Sequence, residues 1–188
     1  RIGEKKIVSS LLPIDTNHVT ERFSDKTVNE IVKAASEMSR AKTGALIVIE
    51  QNVRLDEYER TGIVIDSVLT SQILINIFEH NTPLHDGAVI VRGNRITAAT
   101  CYLPLSDNML LSKELGTRHR AGVGISEVTD SLTVIVSEET GAISVAYKGE
   151  LMRKLTAEEL KKLLVMAQNK TAAQKKFRLW KGWNKNEI

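Results

Sequence analysis

Three short segments of the sequence carry side chains suited to chemistry on a phosphorylated ligand. His85, Asp86 and Gly87 form the first segment, residues 116–120 the second, and residues 137–139 the third. They supply an ionisable pair beside a glycine, a group of basic and hydroxyl donors, and two adjacent carboxylates. Each segment also has an ordinary structural interpretation as a surface turn or a strand end.

The first segment, Leu84–Ala88, lies between the end of a predicted helix and the start of a predicted strand. Gly87 has no Cβ, which lets a ligand approach the backbone closely while His85 and Asp86 reach it. The alternative is a turn with a local hydrogen bond between the two ionisable side chains. Taken alone, this tripeptide favours the turn.

The second segment combines a glycine, a hydroxyl and three basic residues. Backbone N–H groups near Gly116, the hydroxyl of Thr117 and the guanidinium groups of Arg118 and Arg120 are donors suited to an anionic oligophosphate. The alternative is a charged surface turn that pairs with nearby acids. Three basic residues in succession favour phosphate, without separating a nucleotide from a sugar phosphate.

The third segment, Ser137-Glu138-Glu139, follows a predicted strand. Adjacent carboxylates repel each other unless water or a cation offsets their charge, so a hard divalent ion such as Mg²⁺ or Mn²⁺ is a suitable guest. The alternative is an exposed pair of glutamates, and this pair taken alone favours it.

Apolar periodicity and turn residues predict the elements that position these segments. Helices are predicted from Thr27 with a capping box to Glu30, after Ser67 as a cap, in the second half of 115–125, and from Thr156 with a capping box to Glu159. Residues 51–62 are predicted as a loop. Strands are predicted over 45–50, 63–65, 88–92, 95–103, 132–137 and 142–147, with a hairpin at Gly93-Asn94.

These elements predict an α/β fold, a single domain with a central mixed, largely antiparallel sheet flanked by helices. We expect a lead-in segment over 1–23, the domain over 24–168 and a basic tail over 169–188. Each chemical segment borders a predicted strand, so all three are expected at one edge of the sheet. An acid, phosphate-binding arginines and a metal-binding carboxylate are what nucleotidyl or phosphoryl transfer requires. Tyr102 and Leu103 are placed to cover a planar base, although Leu103 fits the core equally well.

Composition and charge exclude several classes of protein. The single cysteine, Cys101, excludes an intrachain disulfide and is too few for a zinc ribbon or an iron–sulfur cluster, which makes a reducing, cytoplasmic setting the default. No apolar run approaches the roughly 18 residues of a membrane span. The net charge is +3, but the last twenty residues hold six basic residues and one acid, so the tail is formally +5 and the remainder −2. The positive excess therefore belongs to the tail.

Several of these segments together closely resemble the diadenylate cyclase (DAC) domain, over about Val28 to Gln168. The resemblance rests on Asp86-Gly-Ala88 and Arg118-His-Arg120, with residues 44–48 before them and 137–139 after them. Longer stretches resemble the membrane-anchored, CdaA-type branch of that family: 81–88, 101–105 and 113–120. The hydrophobic N-terminal helices of that branch are not in this sequence, so we expect a fragment whose parent is anchored to the cell membrane and whose catalytic domain is cytoplasmic.

The resemblance implies condensation of two ATP molecules into cyclic di-AMP with release of two pyrophosphates, dependent on Mn²⁺, Mg²⁺ or Co²⁺. It implies that Asp86 lies by the ribose 3′-hydroxyl and activates it, and that Gly87 makes room for the nucleotide. The other implied roles are triphosphate binding by Gly116, Thr117, Arg118 and His119 with Arg120 in support, adenine contact by Tyr102 and Leu103, substrate binding by Ser137 and Glu138, and metal binding by His85 and Glu139.

The number of motifs predicts the assembly. The product joins two adenylates symmetrically, yet the chain has one copy of each motif, so one domain binds one ATP. Two domains must face each other for each 3′-hydroxyl to meet the other α-phosphate, which predicts a symmetric homodimer for catalysis.

Two other functions remain open from the sequence. A nucleotide-binding regulatory module would use the same phosphate-binding residues without catalysis. Nucleic-acid binding by the tail would use Phe177, Trp180 and Trp183 between basic residues, although a surface-lying amphipathic terminus is the interpretation we favour. We therefore expect no nucleic-acid partner, and the resemblance admits a protein regulator.

Overall fold

Seven strands form one sheet in the computed structural model, which describes residues 21–112 and 114–169. Along the chain they are β1 (Ala45–Ile49), β2 (Ile63–Val68), β3 (Ala88–Arg92), β4 (Arg95–Cys101), β5 (Leu132–Val136), β6 (Ile143–Tyr147) and β7 (Glu150–Leu155). Their order across the sheet is β2-β4-β3-β1-β5-β6-β7. The pairing of β1 with β3 is parallel and the other five pairings are antiparallel. The predicted mixed, largely antiparallel sheet is confirmed.

Helices cover both faces of this sheet. They are α1 (Asp25–Ala41), α2 (Asp56–Glu59), α3 (Ser71–Phe78), α4 (Thr117–Val128) and α5 (Ala157–Gln168). The helices α1, α3 and α5 pack together on one face, and α4 and α2 lie on the other. All five residues of β1 are buried; Ile47 and Ile49 join the first apolar cluster, and Leu46 and Val48 join the second. An uninterrupted apolar strand is what a sheet covered on both faces requires.

The predicted hairpin and the last helix are confirmed. The strands β3 and β4 pair antiparallel across Gly93-Asn94. Thr156 caps α5, with its side chain accepting from the Glu159 N–H and the Glu159 carboxylate accepting from the Thr156 N–H. Both features depend on residues close in sequence, which is why local patterns predicted them.

The predicted caps of the first two helices were wrong. Ser24 caps α1 and accepts from the Thr27 N–H, and Thr70 caps α3. Glu30 does not close a capping box on its own helix, because its carboxylate accepts the Ser71 N–H at 2.6 Å. That hydrogen bond lowers the pKa of Glu30 and ties the start of α3 to α1.

Three further elements differ from the prediction. The helix α2 lies inside the predicted 51–62 loop, and α4 begins at Thr117, earlier than expected. The strand β7 was not predicted, because it is an edge strand with several exposed polar residues and no apolar alternation. These differences matter for function, since α4 and β7 both reach the candidate site.

The two ends of the described chain lie together. The Arg22 N–H donates to the Gln168 carbonyl at 2.9 Å, and the Arg22 guanidinium donates to the Ala167 carbonyl at 3.0 Å. Phe23, placed above in the lead-in segment, is buried in the core. Most of the predicted lead-in and tail, residues 1–20 and 170–188, lie outside the described residues. Among the described helices, none is long and apolar enough to cross a membrane.

Candidate active site

A cleft of about 860 Å³ opens at one end of the sheet. The amino ends of β1 and β3 meet the carboxyl ends of β4 and β5 there, because β4 and β5 run antiparallel to those neighbours. This geometry brings together the three chemical segments, which are separated along the chain. The volume is within the range of small-molecule sites in proteins.

Most of the predicted site residues line this cleft. They are Asp86, Gly87, Tyr102, Leu103, Gly116, Thr117, Arg118, His119, Ser137, Glu138 and Glu139. Two do not line it. His85 lines an adjoining cavity of about 280 Å³, with its Nδ1 2.7 Å from the Thr82 carbonyl oxygen. The backbone carbonyl of Arg120 accepts the Ser106 N–H at 3.0 Å, which ties the 104–112 loop to α4.

The amino terminus of α4 faces the cleft. Gly116 is the N-cap residue and provides no side-chain cap, and the first turn of α4 contains no acidic residue. Gly116, Thr117 and Arg118 all line the cleft. Free N–H groups at a helix start carry partial positive charge and bind anions. The predicted phosphate-binding segment is therefore in a suitable conformation.

Arg118 and Glu138 form an ion pair between the two cavities. The Arg118 Nη1 lies 2.6 Å from the Glu138 Oε2, while the Arg118 Nε is buried without a hydrogen-bond partner. Gly44 packs against this pair, since a Cβ at that position would lie 2.7 Å from Arg118 Nη1. Gly44 also lines the adjoining cavity.

Gly87 has a conformational reason to be glycine. Its φ is +102°, and a Cβ there would lie 2.8 Å from the backbone carbon of Thr100. Thr100 itself has a φ of 55° within an irregular stretch of β4, where the pairing with β3 shifts register. Gly87 and this β-bulge together let the Asp86 end of β3 approach the Tyr102 end of β4 closely.

Tyr102 is held by its backbone while 74% of the residue stays exposed. Its N–H donates to the Thr61 Oγ1 at 2.9 Å, and that hydroxyl donates to the Tyr58 carbonyl at 2.6 Å. The neighbouring Leu103 is partly buried against the second apolar cluster. The end of α2 therefore positions the residue proposed to face a planar base.

Comparison with known proteins identifies the family. The DAC family, described as DisA bacterial checkpoint controller nucleotide-binding, matches residues 32–151. This chain belongs to the DAC family. The resemblance seen in the sequence is therefore confirmed, and so is the DAC-like α/β fold.

Named relatives and solved structures agree with this membership. The DAC chain is 57% identical over 144 residues to the cyclic di-AMP synthase CdaA of Bacillus subtilis, covering 77% of this chain and 53% of that protein. It is 51% identical over 164 residues to a diadenylate cyclase of Listeria monocytogenes, covering 86% and 60%. The chain thus spans a little over half the length of these curated relatives.

Two crystal-structure comparisons also match the DAC chain. A double mutant of DacA from Staphylococcus aureus superposes with a TM-score of 0.75 at 50% identity, covering 76% of this chain and 95% of that one. A hypothetical membrane spanning protein from Bacillus cereus gives a TM-score of 0.68 at 43% identity, covering 70% and 64%. Both comparisons support the α/β fold described above.

The charge of the cleft bears on which ions the DAC domain binds. Four carboxylates and two guanidinium groups occur in the described part of its lining, so its formal charge is −2 when His119 is neutral. No group of three or more His, Cys, Asp or Glu side chains in the described residues is arranged to hold a metal ion. A metal here would need further ligands from phosphate oxygens or water, as Mg²⁺ usually does. The charged residues are Asp86, Glu114, Arg118, Glu138, Glu139 and Arg153.

Thiol chemistry is excluded at this site of the DAC domain. Cys101 lines the cleft but is buried, and burial, followed by the nearby Glu59 carboxylate, raises the pKa of its thiol to about 12. The reactive form of cysteine is the thiolate, so Cys101 stays protonated and unreactive at neutral pH.

His119 is expected to stay neutral at physiological pH. Burial is the main cause that lowers the pKa of His119, and the positive charge of Arg153 lowers it further. The unfolded chain then binds a proton that the folded domain does not, so the free energy of unfolding should fall as pH drops below about 6.5. Chemical denaturation at pH 7.5 and at pH 5.5, both chosen to bracket about 6.5, measures this. His119→Gln should show a smaller loss than the parent chain, and an equal loss in both would contradict the assignment.

Proposed function

We propose that this chain is the catalytic part of a diadenylate cyclase, which converts two ATP molecules into one cyclic di-AMP and two pyrophosphates. The observation that carries the proposal is the single cleft in which Asp86, the amino terminus of α4 and the exposed Tyr102 meet. The names of the B. subtilis and L. monocytogenes relatives support it. A base, a phosphate-binding terminus and a surface for a planar ring are what adenylyl transfer requires.

The triphosphate of ATP is assigned to the amino terminus of α4. The N–H groups near Gly116, the Thr117 hydroxyl and the Arg118 guanidinium converge on the cleft. The buried Arg118 Nε has no hydrogen-bond partner in the described residues, so a donor is available beside the one given to Glu138. Neutral His119 can donate an N–H to a phosphate oxygen without burying another charge. Ser137 and Glu138 border the same part of the cleft.

Asp86 is assigned as the general base. It accepts the proton of the ribose 3′-hydroxyl as the 3′-oxygen forms a bond to the α-phosphorus of the other nucleotide. The bond between that phosphorus and the oxygen bridging to the β-phosphate breaks, and pyrophosphate leaves. Two such transfers make the cyclic product. Tyr102 and Leu103 hold the adenine, which orients the ribose toward Asp86.

A symmetric homodimer is part of the proposal. The described residues of each chain form one cleft of this composition, and each transfer needs a nucleotide from a second cleft. Two copies related by a two-fold axis satisfy this requirement equally for both nucleotides. The rate per chain should therefore rise with protein concentration until dimers predominate.

A divalent metal ion, Mn²⁺, Mg²⁺ or Co²⁺, is proposed as the cofactor. A cleft of formal charge −2 disfavours a triphosphate unless a cation offsets the repulsion, and its exposed carboxylates are hard oxygen donors of the type these ions prefer. Glu139 and His85 are the residues proposed to hold the ion together with phosphate oxygens. When bound, it would neutralise charge on the phosphates during transfer.

The parent protein is proposed to be anchored in the cell membrane by a segment outside this chain, with the DAC domain on the cytoplasmic side. Support comes from the B. cereus neighbour, which is described as membrane spanning, and from the match to CdaA. A protein regulator of the cyclase is compatible with this arrangement.

Incubation with ATP and each of the three metal ions, followed by mass spectrometry, tests the activity. We expect cyclic di-AMP and two pyrophosphates per product. ATP binding without product at any metal or protein concentration would overturn the cyclase and favour a nucleotide-binding module.

A further inference from the structure

Arg153 is a cleft residue that the sequence analysis did not select. It lies on β7, the edge strand that was not predicted, and it lines the same cleft as the amino terminus of α4. Its charge is near enough to His119, in the first turn of α4, to lower the pKa of that side chain. Arg153 therefore lies in the part of the cleft that includes His119 and the first turn of α4.

The β7 backbone is shaped to present this residue. Val145 pairs with Met152, but the next recorded pair is Ile143 with Leu155, so β7 has one more residue than β6 between these pairs. Lys154 has a φ of 56°, in the left-handed region. A bulge of this kind redirects side chains and occurs often beside functional sites. Here it leaves Arg153 in the cleft while Leu155 returns to the core.

Arg153 is exposed and has no charged partner among the described residues. Arg118, the other guanidinium in the described lining, is paired with Glu138 at 2.6 Å. Arg153 makes no ion pair or hydrogen bond with any residue in 21–112 or 114–169. A cleft with four carboxylates thus keeps one guanidinium free of them. An unpaired guanidinium facing a helix amino terminus is suited to a phosphate oxygen.

We propose that Arg153 is a further anion-binding residue of this cleft and that its guanidinium contacts the phosphates of the bound nucleotide. The proposal rests on the proposed function for the identity of the anion. The anion site itself follows from the cleft, the bulge and the free guanidinium.

The test compares Arg153→Gln with Lys154→Gln in the full chain. Lys154 is the matched control, because it carries the same charge on the next residue and is not among the residues lining the cleft. Calorimetry in Mg²⁺, with the α,β-methylene analogue standing in for ATP so that no turnover occurs, gives the Kd of AMP, ATP and inorganic tripolyphosphate. Arg153→Gln should weaken ATP and tripolyphosphate binding about tenfold, the effect of losing one charge-assisted hydrogen bond, and AMP binding less. Lys154→Gln should change each Kd less than about twofold, and Arg153→Lys should recover part of the loss.

A second readout does not depend on nucleotide. The NMR titration of His119 should shift to higher pH in Arg153→Gln and not in Lys154→Gln, because only Arg153 is assigned near that imidazole. Equal losses in both variants, or an unchanged tripolyphosphate Kd in Arg153→Gln, would overturn the role of Arg153. If Arg153→Gln leaves both the Kd and cyclic di-AMP synthesis unchanged, the role of Arg153 is contradicted while the cyclase proposal is not. If Arg153→Gln selectively loses tripolyphosphate binding but the parent chain makes no cyclic di-AMP, the anion site is supported and the cyclase proposal is contradicted.

Discussion

Asp86→Asn is expected to lower kcat for cyclic di-AMP synthesis by about 10²- to 10⁴-fold, the usual contribution of a general base. The carboxamide has the shape of the carboxylate but cannot accept the 3′-hydroxyl proton. ATP affinity should be retained or slightly increased, because the substitution removes one of the four carboxylates that line the cleft. A loss of kcat without a loss of binding is what distinguishes a catalytic base from a binding residue.

Chromatographic measurement of cyclic di-AMP at saturating ATP, with calorimetric measurement of ATP binding, checks this expectation. Asp107→Asn is the matched control, since Asp107 is an exposed aspartate that does not line the cleft. Its kcat and Kd should equal those of the parent chain. A fully active Asp86→Asn would remove Asp86 from the mechanism.

Arg118→Gln is expected to raise the Kd of ATP by about 10- to 100-fold, the range for a lost hydrogen bond to a charged group. Two effects add. The triphosphate loses a guanidinium, and Glu138 loses the partner that lies 2.6 Å away, so its charge then repels phosphate. The loss should grow from AMP to ADP to ATP, since each added phosphate increases the anionic charge facing the helix terminus.

Arg95→Gln provides the matched control for Arg118. Arg95 also pairs with a carboxylate, Asp66, at 2.9 Å, but it does not line the cleft. Both substitutions remove one partly exposed ion pair, which contributes about 0–1 kcal/mol to stability in such settings. Thermal denaturation should therefore change little in either variant, while ATP affinity falls only in Arg118→Gln. If the affinities for AMP and ATP fell by the same factor, or if Arg95→Gln caused the same loss, Arg118 would have only a structural role.

The two predicted arginine effects differ because the two side chains have different surroundings. Arg118 lies in the first turn of α4, pairs with Glu138 and packs against Gly44, so its loss also leaves the Glu138 carboxylate unpaired beside the phosphates. Arg153 extends from an edge strand without a partner in the described residues. Its loss removes an interaction with the ligand and leaves the protein contacts as they were. We therefore expect the smaller loss of affinity at Arg153.

Elements that depend only on residues close together in the chain could be predicted from the sequence alone. The hairpin at Gly93-Asn94 and the capping box between Thr156 and Glu159 each involve residues within a few positions of one another, and both were predicted. The apolar run 45–49 predicted a strand, and all of its residues are buried. Residue types and their order were also enough to identify the DAC family and half of the described cleft lining.

Contacts between residues far apart in the chain could not be predicted from local patterns. Glu30 accepts from Ser71, 41 residues away, and Gly44 makes room for a pair formed by Arg118 and Glu138. The strand β7 carries no apolar alternation, so pairing with β6 was needed to form it and to bring Arg153 into the cleft. Local propensity reports interactions within about one helical turn or one hairpin. Packing between distant segments determines which residue caps a helix. It also determines which carboxylate and which arginine lie in the site.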